Sequence, residues 1–83
     1  MSRIVLITGA SRGIGRAVAE QLLAGGHRLC LGLRDPAGLK GSPLDSERVL
    51  PVAYDASRPE QARDLVDAVT SWAGGVDTLI HCA

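Results

Sequence analysis

Short apolar runs alternate with longer amphipathic stretches along the 83 residues, and that rhythm sets the expected elements. Arg3 to Ile7 carries a β-branched apolar run, the pattern of a strand buried on both faces of a parallel sheet. From Gly13 to about Ala24, the apolar residues Ile14, Ala17, Val18 and Leu22 recur at helical spacing and predict one buried stripe. Arg16 and Glu20 fall on the other side as a weak, solvated pair, and Gly25-Gly26 ends the helix. Arg28 to Leu33 predicts a second strand. Between Arg34 and Arg48 the residues Pro36, Gly38, Gly41, Ser42 and Pro43 predict a loop, with one or two helical turns at most from Asp35-Pro36. Val49 to Tyr54 reads as a third strand, irregular or at a sheet edge because of Pro51. Ser57-Arg58-Pro59-Glu60 matches a capping box with proline in the first turn. The helix it opens runs to about Ala73, with Ala62, Leu65, Val66, Val69 and Ala73 as its stripe and Trp72 as a packing anchor at the border. Gly74-Gly75 stops it, and Asp77 to Cys82 reads as a fourth strand.

This succession predicts an α/β fold, a Rossmann-type doubly wound parallel sheet of order 3-2-1-4 with the two long helices on opposite faces. The order reverses between the first and fourth strands, so the binding crevice is expected at the C-terminal end of the first strand. A sheet of this kind normally continues beyond the fourth strand, which otherwise presents an open apolar edge. Residues 1–83 are therefore expected to be the N-terminal part of a single domain whose remainder lies in a longer polypeptide.

At the expected crevice stands Thr8-Gly9-Ala10-Ser11-Arg12-Gly13-Ile14-Gly15. Glycines there permit positive φ and let a ligand approach the main chain, while the N–H groups of the new helix face an anion. The spacing is G-x-x-x-G-x-G rather than the general G-x-G-x-x-G. In wording and placement the stretch resembles the short-chain dehydrogenase/reductase family. That resemblance implies a nicotinamide dinucleotide cofactor held around Thr8, Gly9, Ser11, Arg12, Gly13, Ile14 and Gly15. It also implies hydride transfer between that cofactor and a small carbonyl or alcohol substrate, and oligomers of the full-length protein.

For the cofactor's ribose, the general rule places an acid about 20 residues beyond the glycines, and Asp35 meets it. In the resembling family, however, NAD preference goes with an acid at the end of the second strand, here Leu33, and NADP preference with a base at the next position, here Arg34. A second base often precedes the middle motif glycine, and Arg12 does so. Two guanidinium groups suit a 2′-phosphate, so NADP(H) is expected in preference to NAD(H), with Asp35 pairing an arginine or capping the short turn. Asp55 resembles the family's acid that meets the adenine amino group; an Asx turn feeding Ser57 is the structural alternative, and the two roles are compatible. Where the family reads Asn-Asn-Ala-Gly after the fourth strand, this chain has His81-Cys82-Ala83. Only Ala83 matches, and it is placed beside the cofactor. His81 stands for an Asn that helps tie the central strands and is expected to hydrogen-bond similarly, and His27 is expected to be a surface turn residue.

Composition narrows the field without adding chemistry. Nine basic and nine acidic residues cancel, which gives no reason to expect nucleic acid or an anionic membrane. No apolar run approaches a membrane span, the first strand leaves no room for a signal peptide, and Cys30 and Cys82 read as buried free thiols, so a cytoplasmic setting is expected and no metal site. The family's catalytic serine and Tyr-x-x-x-Lys are not found: Tyr54 is the sole tyrosine, Arg58 stands four residues on, and Lys40 is the sole lysine. No catalytic residue is assigned. Three readings stay open: the cofactor-binding half of an NADP(H)-dependent oxidoreductase, a non-catalytic dinucleotide-binding module, and a free-standing half-domain that dimerises through the fourth strand.

Overall fold

A computed structural model describes residues 3–9, 13–55 and 57–81. Its elements are β1 (Ile4–Thr8), α1 (Gly13–Ala24), β2 (Arg28–Leu33), a 3₁₀ turn (Pro36–Leu39), β3 (Val49–Ala53), α2 (Glu60–Ala73) and β4 (Thr78–His81). The four strands form one parallel sheet in the order β3-β2-β1-β4, as the sequence predicts. Strand ends differ from expectation by a residue: β1 includes Thr8 and not Arg3, and β3 stops at Ala53. Pro51 lies on the edge strand β3, where a missing N–H is tolerated.

Alternation along the strands divides the core in two. Val5, Ile7, Leu29, Leu31, Leu33 and Val49 face α1 and the loop residues Leu39 and Leu44. Leu6 and Cys30 face Leu65 and Val69 of α2 on the opposite side, with Tyr54 and Trp72 partly buried against them. β2 is buried along Leu29–Leu33, as expected of an inner strand covered on both faces. β4 forms the other edge, and its Leu79 is 65% exposed.

Both helices are rotated from the expected stripes. α1 buries Gly15, Ala19 and Leu23, with Val18 and Leu22 at the margin, while Ala17 is exposed and Ile14 is 80% exposed. Counting only bulky side chains selects Ile14; the helix instead turns its smallest residues, Gly15 and Ala19, to the sheet, which permits a close approach. In α2, Leu65 and Val69 are buried but Ala62 and Val66 are exposed. Leu65, Val69 and Trp72 pack over β2 and β3, leaving Val66 on the other flank.

The helix ends follow local chemistry. Gly26 takes φ 91° while its N–H donates to the Leu23 carbonyl, and the His27 N–H reaches the Leu22 carbonyl, the paired bonds of a Schellman stop. Gly74 ends α2 with φ 84°. The expected capping box does not form. The helix starts at Glu60 with Pro59 at the cap position, which has no side-chain acceptor, and Ser57, two residues earlier, donates its hydroxyl to Asp55 Oδ1 at 2.8 Å. At the N-terminal ends of the strands, the Ile4 N–H donates to Asp77 Oδ2, and the His27 Nδ1 accepts from the Arg3 N–H. Arg28 spans from β2 to α2, donating to the Trp72 carbonyl with its guanidinium 4.6 Å from the indole centroid. Trp72 is thus a packing anchor, as expected, and Arg16–Glu20 forms the expected half-exposed pair at 3.0 Å. The Cys30 thiol is buried and free, which pushes its pKa up to about 11.

Candidate functional site

The C-terminal ends of the parallel strands converge on one rim of the sheet. β1 delivers Thr8 and Gly9, with Gly9 at φ 78°; the Gly9 N–H donates to the Gly32 carbonyl at 3.2 Å and locks the start of the glycine turn to β2. Gly13 opens α1 at φ 68°, and a Cβ there would meet nothing within 4 Å. A helix that starts on a glycine of this kind has its first N–H groups without intrahelical partners, as phosphate-binding turns require. Gly15 is buried toward the sheet, whereas the Ile14 side chain is not. Ser11 and Arg12, expected in this turn, lie outside the described residues, as does Ala83.

Thr8 is used inside the fold. Its nearly buried hydroxyl lies 2.6 Å from His81 Nδ1, a hydrogen bond that ties β1 to β4 at the rim. This is the tie expected of His81, with imidazole in place of an amide.

A second group forms where β2 and β3 end. The Tyr54 N–H donates to the Leu33 carbonyl at 2.7 Å, so Arg34 and Asp55, the next residues along each strand, emerge side by side. Arg34, Asp55, Tyr54, Arg58, Gln61 and Ala53 line a cleft of about 380 Å³. Asp55 forms the expected Asx turn: Oδ1 accepts from the Ser57 N–H at 2.9 Å as well as from its hydroxyl. Those two bonds, with lesser contributions from the Arg34 and Arg58 charges, hold its carboxyl below the usual carboxylate range. The Asp55 N–H donates to Gln61 Oε1 at 2.6 Å, which fixes this turn against α2.

Asp35 does not line this cleft. It occupies the position before the 3₁₀ turn without a side-chain cap bond, and among the described residues Arg16–Glu20 is the one ion pair, so neither role expected of Asp35 is seen. Sequence reasoning passed over Arg58 and Gln61. Their proximity to Asp55 along the chain was a signal, but only the turn geometry brings their side chains to the cleft. A separate depression of about 300 Å³ under the 3₁₀ turn, walled by Leu39, Leu44, Val49 and Pro51, contains none of the expected site residues. Among the described residues there is no metal-binding cluster, and no helix is long and apolar enough to cross a membrane.

A glycine turn opening the first helix, beside a polar cleft at the ends of β2 and β3, defines a dinucleotide-binding class of α/β protein. The family model described as short chain dehydrogenase matches residues 3–83, and the chain belongs to that family. It is 37% identical over 83 residues to agropine synthesis reductase of Rhizobium rhizogenes, covering 99% of this chain and 19% of that protein. With carbonyl reductase family member 4 of Danio rerio it shares 32% identity over 85 residues, covering all of this chain and 36% of the relative. Among solved structures, a 3-ketoacyl-(acyl-carrier-protein) reductase from Brucella melitensis, complexed with NADH, superposes with a TM-score of 0.83 at 33% identity, covering 93% of this chain and 32% of that one. The chain thus spans about a third or less of the length of these relatives.

Proposed function

We propose that residues 1–83 are the N-terminal, cofactor-binding part of a single domain in an NADP(H)-dependent oxidoreductase that acts on a small carbonyl or alcohol substrate. The observation that carries this reading is the joint placement of Arg34 and Asp55 in one cleft at the C-terminal ends of β2 and β3. The rim fits a dinucleotide: the Gly13 turn offers unobstructed backbone to phosphates, Asp55 offers an ionised acceptor to an adenine amino group, and Arg34 offers a charged donor to a 2′-phosphate. When bound, the nicotinamide would supply hydride chemistry; the residues of this chain bind and orient the cofactor and assign no proton-transfer step. Ser11, Arg12 and Ala83 are proposed to complete the site, with Thr8 holding the rim through His81. Homo-oligomerisation and a cytoplasmic setting belong to the same proposal.

Arg34→Ala tests it. NADPH affinity is expected to fall by about 1.5–3 kcal/mol, the scale of a hydrogen bond to a charged group, while NADH affinity stays nearly unchanged. An equal loss for both cofactors would remove Arg34 from the 2′-phosphate. The alternative expected from the sequence, a non-catalytic dinucleotide-binding module, would use the same cleft. The two separate on whether a longer chain carries a serine followed by Tyr-x-x-x-Lys.

A further inference from the structure

We propose that Arg58, in the turn between β3 and α2, is a further specificity-determining cation that closes with Arg34 on the 2′-phosphate of NADP(H), beyond the Arg12 of the proposed site. The inference rests on the NADP(H) reading above and extends it to a residue outside the glycine turn and β2.

Arg34 and Arg58 reach the same 380 Å³ cleft from different elements, with Asp55 also in its lining. The backbone of Arg58 is fixed at both ends: its N–H donates to the Asp55 carbonyl at 2.9 Å, and its carbonyl accepts from the Gln61 N–H at 3.0 Å. Gln61 in turn accepts from the Asp55 N–H, so the turn carrying Arg58 is braced against α2 before any ligand arrives. Three other arginines have structural tasks, whereas Arg3 and Arg63, outside this cleft, make no side-chain bond among the described residues. Arg28 and Arg48 donate to the carbonyls of Trp72 and Leu23, and Arg16 pairs with Glu20. Among the described residues, the guanidinium groups of Arg34 and Arg58 have no such partner.

Two planar guanidinium forks at one cleft match the several oxygens of a phosphate dianion, each able to donate in bidentate fashion. The Asp55 carboxylate between them offsets their mutual repulsion while the site is empty. The arrangement asks for a ligand more negative than a ribose hydroxyl, and the extra phosphate of NADP(H) is that group.

The experiment is calorimetric titration of the longest natural polypeptide carrying this segment with 2′,5′-ADP and with 5′-AMP, as wild type, Arg58→Ala and Arg58→Lys. Arg58→Ala is expected to weaken 2′,5′-ADP roughly tenfold and leave 5′-AMP unchanged, and Arg58→Lys to recover part of the loss. Equal losses for the two probes, or no loss, would overturn the role of Arg58 provided the wild type prefers 2′,5′-ADP. A wild type that holds 2′,5′-ADP no tighter than 5′-AMP would instead overturn the NADP(H) reading itself.

Discussion

Gly32 offers the sharpest test of how the fold shapes the cleft. It sits in the central strand β2, paired with Thr8 on one side and Val52 on the other, and faces α2. A Cβ at this position would stand 3.1 Å from Leu65 Cδ2, 3.2 Å from Tyr54 Cβ and 3.4 Å from Tyr54 Cδ2. Leu65 can move its methyl, but Tyr54 Cβ is tied to a backbone whose N–H is bonded to Leu33. Gly32→Ala therefore overpacks the sheet–helix contact, which costs about 1–3 kcal/mol. Restricting the unfolded chain returns about 0.4–1 kcal/mol. The cost exceeds the gain except where the two ranges meet, so the net expectation is a destabilisation of up to about 2.6 kcal/mol, measured by urea unfolding with an unchanged m-value. Because the clash includes Leu65, the cost of Leu65→Ala should be smaller in the Gly32→Ala background, by about 0.5 kcal/mol or more. A Gly32→Ala protein as stable as wild type, or a strictly additive cycle, would refute this account of the contact.

Gly13→Val should abolish dinucleotide binding while far-UV circular dichroism stays unchanged, because φ 68° strains a β-branched residue and its side chain would enter the open space where the phosphates are proposed to bind. Retained affinity would disprove that placement. Asp55, whose pKa is lowered, should stay ionised below the ordinary carboxylate range, and the stability it contributes should be lost only as pH falls through its folded-state pKa. In Ser57→Ala its pKa, followed by carbon NMR, should rise partway, since the Ser57 N–H bond remains. The raised Cys30 pKa has the opposite sign: its stability contribution is complete below the unfolded value of about 8.5 and declines as pH climbs toward about 11. Alkylation of Cys30 at pH 8 should accordingly require unfolding, and rapid labelling of the folded protein would contradict its burial.

The sheet was legible because its signals are local and redundant. The apolar runs at Ile4, Leu29 and Val49, the first two separated by α1 and its glycine stop and the last two by a Pro- and Gly-rich loop, leave few topologies other than order 3-2-1-4. Helix rotation was not legible, since Gly15 and Ala19 carry little hydrophobic signal yet are the residues that reach the sheet. The capping box failed because α2 begins at Glu60, two residues beyond where Ser57 could cap it, and Ser57 joins the Asx turn of Asp55 instead. For the candidate site, Arg34 and Asp55 were singled out through the family resemblance, and both line one cleft. Arg58 and Gln61 entered the cleft only through the turn that folds back from β3 onto α2, a geometry that spacing alone does not specify.

The most direct test of the central claim is to compare NADPH and NADH binding, by fluorescence or calorimetry, on the longest natural polypeptide containing residues 1–83. The account predicts clear preference for NADPH, lost on Arg34→Ala. Preference for NADH in the wild type, or no binding of either dinucleotide, would contradict it.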